Sequence, residues 1–140
     1  MRTLLLALTG LLSGCGERPQ DPARLALGAT LYAQHCAACH GAKLEGQPDW
    51  RKKLANGRFP APPHDDSGHT WHHTDEVLFG ITKHGTVPPY APKGYESDMP
   101  GFAGKLSDDE IRAVLDYIAS HWSGEVLKLR AEMTRNARKQ

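Results

Sequence analysis

The sequence has few of the large side chains that fill a protein core. Its 140 residues include three Phe, four Tyr and three Trp. A domain of this size buries a modest share of its surface and often needs a covalent cross-link or a bound cofactor to be stable. The 14 Gly and 10 Pro indicate long loops, and we expect those loops to wrap around something other than side chains.

The sequence also lacks an excess of charge of one sign. A formal net charge of +1 gives the protein no bulk charge with which to bind nucleic acid. The mean hydropathy of -0.52 is typical of a soluble globular protein and not of a polytopic membrane protein. The charge is nevertheless polarised, since residues 123–140 hold five basic and two acidic side chains, whereas residues 15–122 hold 11 basic and 14 acidic ones.

Cysteine is scarce as well, and its odd count of three cannot be explained by disulfides alone. Because there is no second cysteine pair, a structural zinc site of four ligands at regular spacing is not expected. No βαβ pattern surrounds Cys36 and Cys39, which excludes a thioredoxin-like dithiol. We therefore expect the three thiols to have chemical roles outside disulfides, zinc binding and dithiol exchange.

The N-terminal segment 1–14 is typical of a signal peptide. It has a short positive start and a leucine-rich stretch that is too short to cross a bilayer as a mature helix. Leu12-Ser13-Gly14-Cys15 resembles a bacterial lipobox, which implies cleavage before Cys15 and lipidation of its thiol. We expect residues 15–24 to form a polar tether and the protein to lie, lipid-anchored, on the periplasmic side of a bacterial membrane. The alternative is an ordinary secretory signal with an incidental cysteine.

Hydrophobic periodicity and capping residues predict an all-α fold of short helices joined by two long loops. The expected N-caps are Asp21, Thr74 and Ser107, and Glu110 completes a capping box with Ser107. Loops this long in a small domain are commonly functional. The predicted helices cover 23–38, 74–85 and 107–122, and the loops cover 41–70 and 86–104. Ser123-Gly124 is predicted to be a break, after which a final basic helix runs to Ala137.

Cys36-Ala37-Ala38-Cys39-His40 is a C-x-x-C-H motif, which is typical of covalent c-type haem attachment. Two cysteines three positions apart on a helical turn face the same way, so both thiols can form thioethers with one haem. His40 then falls under the iron as its proximal ligand. Assigning Cys15 to lipid and the other two cysteines to haem leaves no free thiol, and we expect one covalent haem c.

With this motif in place, residues 25–122 resemble a monohaem class I cytochrome c. The resemblance implies the cytochrome c fold, with short helices and long loops wrapped around the haem and residues 123–140 as a C-terminal helical extension. It also implies that the first helix crosses the last helix of the domain, with Gly28 and Tyr32 on one and Tyr117 on the other.

The resemblance further implies an iron ligand opposite His40, and Met99 has the expected place in the loop before the last domain helix. Pro100 restricts Met99 to an extended backbone that can direct its thioether inward. Met133 lies in the basic tail, where an apolar helix contact is expected. Histidines of the segment 60–73 are an open alternative that would give bis-His ligation. The adjacent His72 and His73 also suggest copper, although neighbouring side chains usually point apart.

Several further residues are expected around the haem. The resemblance implies that a proline carbonyl accepts a hydrogen bond from Nδ1 of the proximal histidine, and the candidates are Pro60, Pro62 and Pro63. Candidate donors to the haem propionates are Arg58, Trp71 and Tyr90. Packing against the core and the haem edge is expected for Val77, Leu78, Ile81, Phe102 and Ile118.

Methionine and histidine ligation leaves the iron no open position, which favours electron transfer over catalysis. We expect a single-electron carrier without catalytic residues, whose partners are other redox proteins and, through the lipid anchor, a membrane. A haem enzyme or gas sensor with an open sixth position is one alternative. A fixed cytochrome subunit of a larger dehydrogenase or oxidase complex is another. For the basic C-terminal helix, docking on its own domain, on an acidic partner and on an anionic membrane all stay open.

Overall fold

The computed structural model describes residues 21–137, and its regular structure is helical. Within that range no strand is present, and the one extended pairing is an isolated bridge between Ala103 and Leu106. The predicted all-α class is confirmed. The helices are α1 (Pro22–His35), α2 (Ala37–His40), α3 (Asp75–His84), α4 (Asp108–Ala119) and α5 (Gly124–Ala137), with a 3₁₀ turn at Thr70–His72.

The predicted signal peptide and Cys15 lie outside the described residues, as does most of the tether. Among the helices that the structure does describe, none has the length and apolar character needed to cross a membrane.

All three predicted N-caps are confirmed. The Asp21 carboxylate accepts the Ala23 N–H at the start of α1, and the Thr74 hydroxyl accepts the N–H of Val77 at the start of α3. At the start of α4, Ser107 and Glu110 form the reciprocal capping box. These contacts satisfy backbone donors that a helix N-terminus leaves unpaired, so they fix where each helix begins.

Two predicted helix ends were wrong. The segment expected as one helix over 23–38 breaks at Cys36, whose φ of -118° departs from helical geometry, so the haem motif lies on the separate helix α2. The last domain helix ends at Ala119 and not at Trp122. Trp122 follows in a turn, but its indole N–H reaches the His64 carbonyl at 2.9 Å and the side chain is buried. A tertiary contact, not helical periodicity, therefore positions Trp122.

The crossing of α1 and α4 is the central contact of the fold. A Cβ atom on Gly28 would lie 2.1 Å from the Ala113 carbonyl oxygen, so the two backbones approach as only glycine allows. The rings of Tyr32 and Tyr117 are 5.5 Å apart beside this contact, and Arg24 pairs with Asp116. The predicted helix crossing is thus confirmed.

Helix α5 packs on the domain by its own N-terminal half. Val126 and Leu127 contact the hydrophobic core, and the Arg130 guanidinium donates to the Trp71 carbonyl at 3.0 Å. Leu129 and Met133 remain exposed. Of the three docking surfaces that the sequence left open, the structure shows the domain itself.

Candidate haem site

A cavity of about 510 Å³ lies between α2, α3, α4 and the two long loops. Such a volume is within the range of cofactor sites. Much of its wall is apolar, formed by Leu78, Ile81, Phe102, Val114, Leu115 and Ile118. The same lining includes all four side chains that the sequence assigned to haem attachment and iron ligation, namely Cys36, Cys39, His40 and Met99.

His40 is buried, and its Nδ1 lies 2.8 Å from the carbonyl oxygen of Pro62. A carbonyl oxygen only accepts, so Nδ1 carries the proton and Nε2 keeps a free lone pair for a metal. Burial lowers the pKa of His40 against the opposing effect of the Pro62 hydrogen bond, which favours the neutral ring that a metal requires.

The geometry separates the three proline candidates. Pro60 and Pro62 both line the cavity, but it is the Pro62 carbonyl that accepts the hydrogen bond from His40. Pro63 is buried outside the lining, and its carbonyl accepts the Thr70 hydroxyl at 3.4 Å. Pro62 therefore orients the imidazole.

The two cysteines of the motif are free thiols beside the same short helix. Cys36 is half-buried and Cys39 is exposed. Burial raises the pKa of Cys36 to about 11, so this thiol is protonated at neutral pH. Because both thiols border the cavity beside His40, these three side chains would be able to hold one covalently attached haem.

Met99 is half-buried on the cavity lining, in a loop tied to α3. Its backbone N–H donates to the Ser97 hydroxyl at 3.1 Å, and the Phe102 N–H donates to the Thr82 carbonyl at 3.0 Å. The first bond is local to the loop, and the second ties the chain three residues beyond Met99 to the C-terminal turn of α3. The buried Phe102 ring reaches the cavity, as do three of the four other expected packing residues, whereas Val77 does not.

None of the three predicted propionate donors lies on the cavity lining. Arg58 pairs instead with Asp98, and the indole of Trp71 donates to a backbone carbonyl of the preceding turn. Tyr90 lies directly against Gly80, where a Cβ atom would be 2.0 Å from its ring. Arg58 and Tyr90 are directed elsewhere by partners distant in sequence, and Trp71 by a bond within its own turn, neither of which periodicity and spacing reveal.

Other polar side chains line the cavity in their place. Trp50 stacks on His69 with ring centroids 5.3 Å apart, and the Arg51 guanidinium lies 4.1 Å above the Trp50 ring. His73 contacts His69 edge-to-face at 5.4 Å, and burial lowers the pKa of both histidines. Their only signal in the sequence was a cluster of His and Trp flanking the glycine- and proline-rich loop.

The structure also bears on the histidine alternatives for the sixth ligand. The His64 ring lies face to face with the His40 ring at 3.9 Å, whereas two opposite iron ligands must face each other edge-on across the metal. His64 therefore lies on the proximal side. His69 and His73 border the cavity, but His72 stacks on Trp71 outside it. Among residues 21–137, no group of three metal-ligating side chains is placed to hold a separate metal ion, which gives copper no support.

Comparison with known proteins agrees with this geometry. A family model described as Cytochrome c matches residues 25–122, which is well over half of the chain. No solved structure gives a significant match. The family binds haem c, and its members are generally electron-transfer proteins and not enzymes. The chain therefore belongs to the cytochrome c family of haem-based electron carriers.

Proposed function

We propose that this protein is a single-electron carrier with one haem c, bound covalently through Cys36 and Cys39 and ligated by His40 and Met99. One observation supports the proposal above all. The two thiols, an imidazole with a free Nε2 and a thioether border a single, largely apolar cavity of about 510 Å³. The haem, when bound, supplies an iron that gains and loses one electron.

The residues of this chain would hold that iron in a fixed environment. Pro62 orients the imidazole of His40, and the bonds to α3 restrain the loop that carries Met99. The apolar part of the wall would keep water away from a bound iron, so little around it would need to rearrange when its charge changes. With His40 and Met99 both bound to it, the iron would have no position for a substrate, which favours electron transfer.

Carbon monoxide binding to the reduced holoprotein tests the Met99 assignment. We expect the wild type to resist the ligand and Met99→Ala to bind it, because the substitution opens one axial position. Met133→Ala is the matched control, since Met133 is exposed on α5, away from the cavity. Ready binding by the wild type would contradict Met99 ligation and favour a haem enzyme or gas sensor. If carbon monoxide binds only to His69→Ala or to His73→Ala, the result would instead indicate that this histidine is the second iron ligand and that ligation is bis-His.

We also propose that Cys15 carries a lipid that anchors the protein to the periplasmic side of a bacterial membrane. Support comes from the lipobox-like sequence before Cys15. In cells fed a labelled fatty acid, we expect the wild-type protein to carry the label and to fractionate with membranes. We expect Cys15→Ser to do neither.

We propose other redox proteins as the electron donor and acceptor of this carrier. Stoichiometric co-purification with one of them after detergent extraction would favour a fixed subunit over a free carrier.

A further inference from the structure

We propose that His64 is a positioning residue for the iron ligand His40, because its stacked ring fixes the rotation of the ligand's imidazole plane. The proposal rests on the proposed function, in which His40 binds the haem iron. It assigns His64 a role in setting the electronic structure and reduction equilibrium of that iron. From the sequence, His64 has no role beyond a place among the alternative histidine ligands.

The contact between the two rings is close and nearly parallel. Their centroids are 3.9 Å apart and their planes differ by 18°. The hydrogen bond from His40 Nδ1 to Pro62 fixes one atom of the ligand ring but leaves the plane free to rock about that point. A flat ring against one face of His40 restricts this rocking. The orientation of the ligand plane is therefore set by two contacts that act in different directions.

His64 is itself held in place by both of its backbone polar groups. Its N–H donates to the Leu44 carbonyl at 2.7 Å, and its carbonyl accepts the indole N–H of Trp122 at 2.9 Å. The edge of the Tyr32 ring also packs on its imidazole, with centroids 5.9 Å apart. These partners come from the loop after the C-x-x-C-H motif, the turn after α4 and helix α1, so three parts of the fold hold the ring in place.

A histidine at this buried position is not favoured by packing alone. Its Nδ1 is enclosed and has no hydrogen-bond partner among the described residues, which is unfavourable for a polar atom. Leucine would occupy a similar space without burying a polar atom. What histidine supplies and leucine does not is a flat face.

The test compares two substitutions in the haem-loaded protein. His64→Phe keeps a flat ring without ring nitrogens, and His64→Leu keeps bulk without a flat face. The readouts are the g-values of the ferric haem by electron paramagnetic resonance and the equilibrium constant for one-electron reduction. We expect His64→Phe to match the wild type. We expect His64→Leu to change the g-values and to shift the equilibrium constant at least about threefold, or about 28 mV at about 59 mV per tenfold.

Wild-type values in His64→Leu would overturn the proposal, and so would equal changes in the Phe and Leu variants. His121→Leu is the control, because this exposed histidine lies outside the cavity lining. If His64→Leu fails to retain haem, Trp122→Phe decides the question by removing the bond to the His64 carbonyl. Altered g-values would then support the proposal, and unaltered ones would overturn it. A wild-type protein without covalent haem would contradict the proposed function itself, whatever the variants show.

Discussion

At the scale of single residues, Gly28 shows how a missing side chain sets the distance between two helices. The Ala113 carbonyl occupies the space that a Cβ atom on Gly28 would need, at 2.1 Å. Neither the carbonyl oxygen nor a Cβ atom could move easily, since the positions of both are fixed by helix backbones. The close approach lets the neighbouring Tyr32 bury completely and reach the Gly41 carbonyl with its hydroxyl at 3.0 Å. One glycine thus links the helix crossing to the loop after the haem motif.

Gly28→Ala is therefore expected to destabilise the holoprotein by about 1–3 kcal/mol, because an added methyl group forces the two helices apart. Denaturant unfolding followed by the haem absorption measures the change. Gly124→Ala is the matched control, since no atom lies within 4 Å of a Cβ at that position and no overpacking is expected there. Equal destabilisation by the two substitutions would show that close packing at Gly28 is not the cause.

Residue-level prediction from the sequence succeeded where the spacing is local. The C-x-x-C-H motif brought both thiols and the imidazole of His40 to one cavity wall. The motif did not show whether the carbonyl of Pro62 or that of Pro63 accepts the hydrogen bond from His40, because the direction of a carbonyl depends on how the loop folds back. Nor did it reveal His64, whose position follows from that same loop. One clue was present, since His64 is only two residues beyond the proline whose carbonyl orients the ligand.

At the scale of elements, the start of α4 carries a pH-sensitive contact. The N–H and hydroxyl of Ser107 both donate to the Glu110 carboxylate, at 2.7 and 2.9 Å. These bonds hold the pKa of Glu110 below its ordinary value near 4.5. A carboxyl group whose pKa is depressed by folding stabilises the folded state above its unfolded pKa. That contribution is lost as the pH falls through the folded pKa.

Ser107→Ala is expected to lower stability at neutral pH and to weaken the fall in stability below about pH 4.5. The stability difference from the wild type should therefore shrink with acidification, as thermal unfolding at a series of pH values can show. Thr74→Ala is the control, because Thr74 caps α3 through the Val77 N–H without a carboxylate. Its difference from the wild type should stay constant over the same pH range. A constant difference for Ser107→Ala would show that the bond from the Ser107 hydroxyl to Glu110 does not contribute to this pH dependence.

Helix α5 lies beyond residues 25–122, yet it stabilises one side of the haem cavity. Arg130 donates to the carbonyls of Trp71 and His73 and pairs with Asp75, and only 14% of its side chain is exposed. His73 borders the cavity, so the guanidinium holds a segment of the cavity wall. The planar, multi-donor guanidinium suits this task better than an ammonium group does.

Arg130→Ala is expected to destabilise the holoprotein by about 1–3 kcal/mol, because it leaves these carbonyls without their charged donor. Amide hydrogen exchange should also become faster in residues 69–73. Arg135→Ala provides the control on the same helix, since Arg135 is exposed. Unchanged amide exchange of residues 69–73 in the Arg130→Ala variant would contradict a role of Arg130 in holding this segment.

Much of the element pattern could be predicted from the sequence, because caps and helix periodicity are local. The N-caps at Asp21, Thr74 and Ser107 were correct. Gly124, which was predicted to lie in a break, is instead the first residue of α5. The other errors fell at Cys36 and Trp122. At both positions the chain leaves the helix to place a side chain in the cavity wall or the core, and tertiary contacts override helical periodicity there.

At the scale of the whole molecule, the scarcity of aromatic residues and the size of the cavity have a common physical cause. Between the helices and the long loops lies a space of about 510 Å³ that side chains do not fill. The walls come from α2, α3, α4 and both long loops, so these elements meet mainly around the cofactor. The sequence indicated this arrangement only through its composition and the family resemblance, since no local pattern fixes how distant loops enclose a common space.

Haem-free protein is accordingly expected to be much less stable than the holoprotein. Without the haem, the loops lose the surface on which they pack, and Leu78, Phe102 and Ile118 border an unfilled cavity. Far-ultraviolet circular dichroism during heating should show a broad, low-temperature transition for Cys36→Ser/Cys39→Ser and a sharp one for the wild type. Equally cooperative unfolding of the two proteins would contradict a core that depends on haem.

The central claim is that one haem is bound covalently through Cys36 and Cys39, and intact-protein mass spectrometry under denaturing conditions tests it most directly. After expression with the haem-attachment machinery and extraction with acidified organic solvent, the processed wild type should be heavier than Cys36→Ser/Cys39→Ser by one haem, once the difference between the substituted side chains is allowed for. Both proteins would carry the same N-terminal modification at Cys15, so it cancels in the comparison. A wild-type protein that loses all its haem to the solvent, or a double variant that retains one, would contradict covalent attachment at these two cysteines.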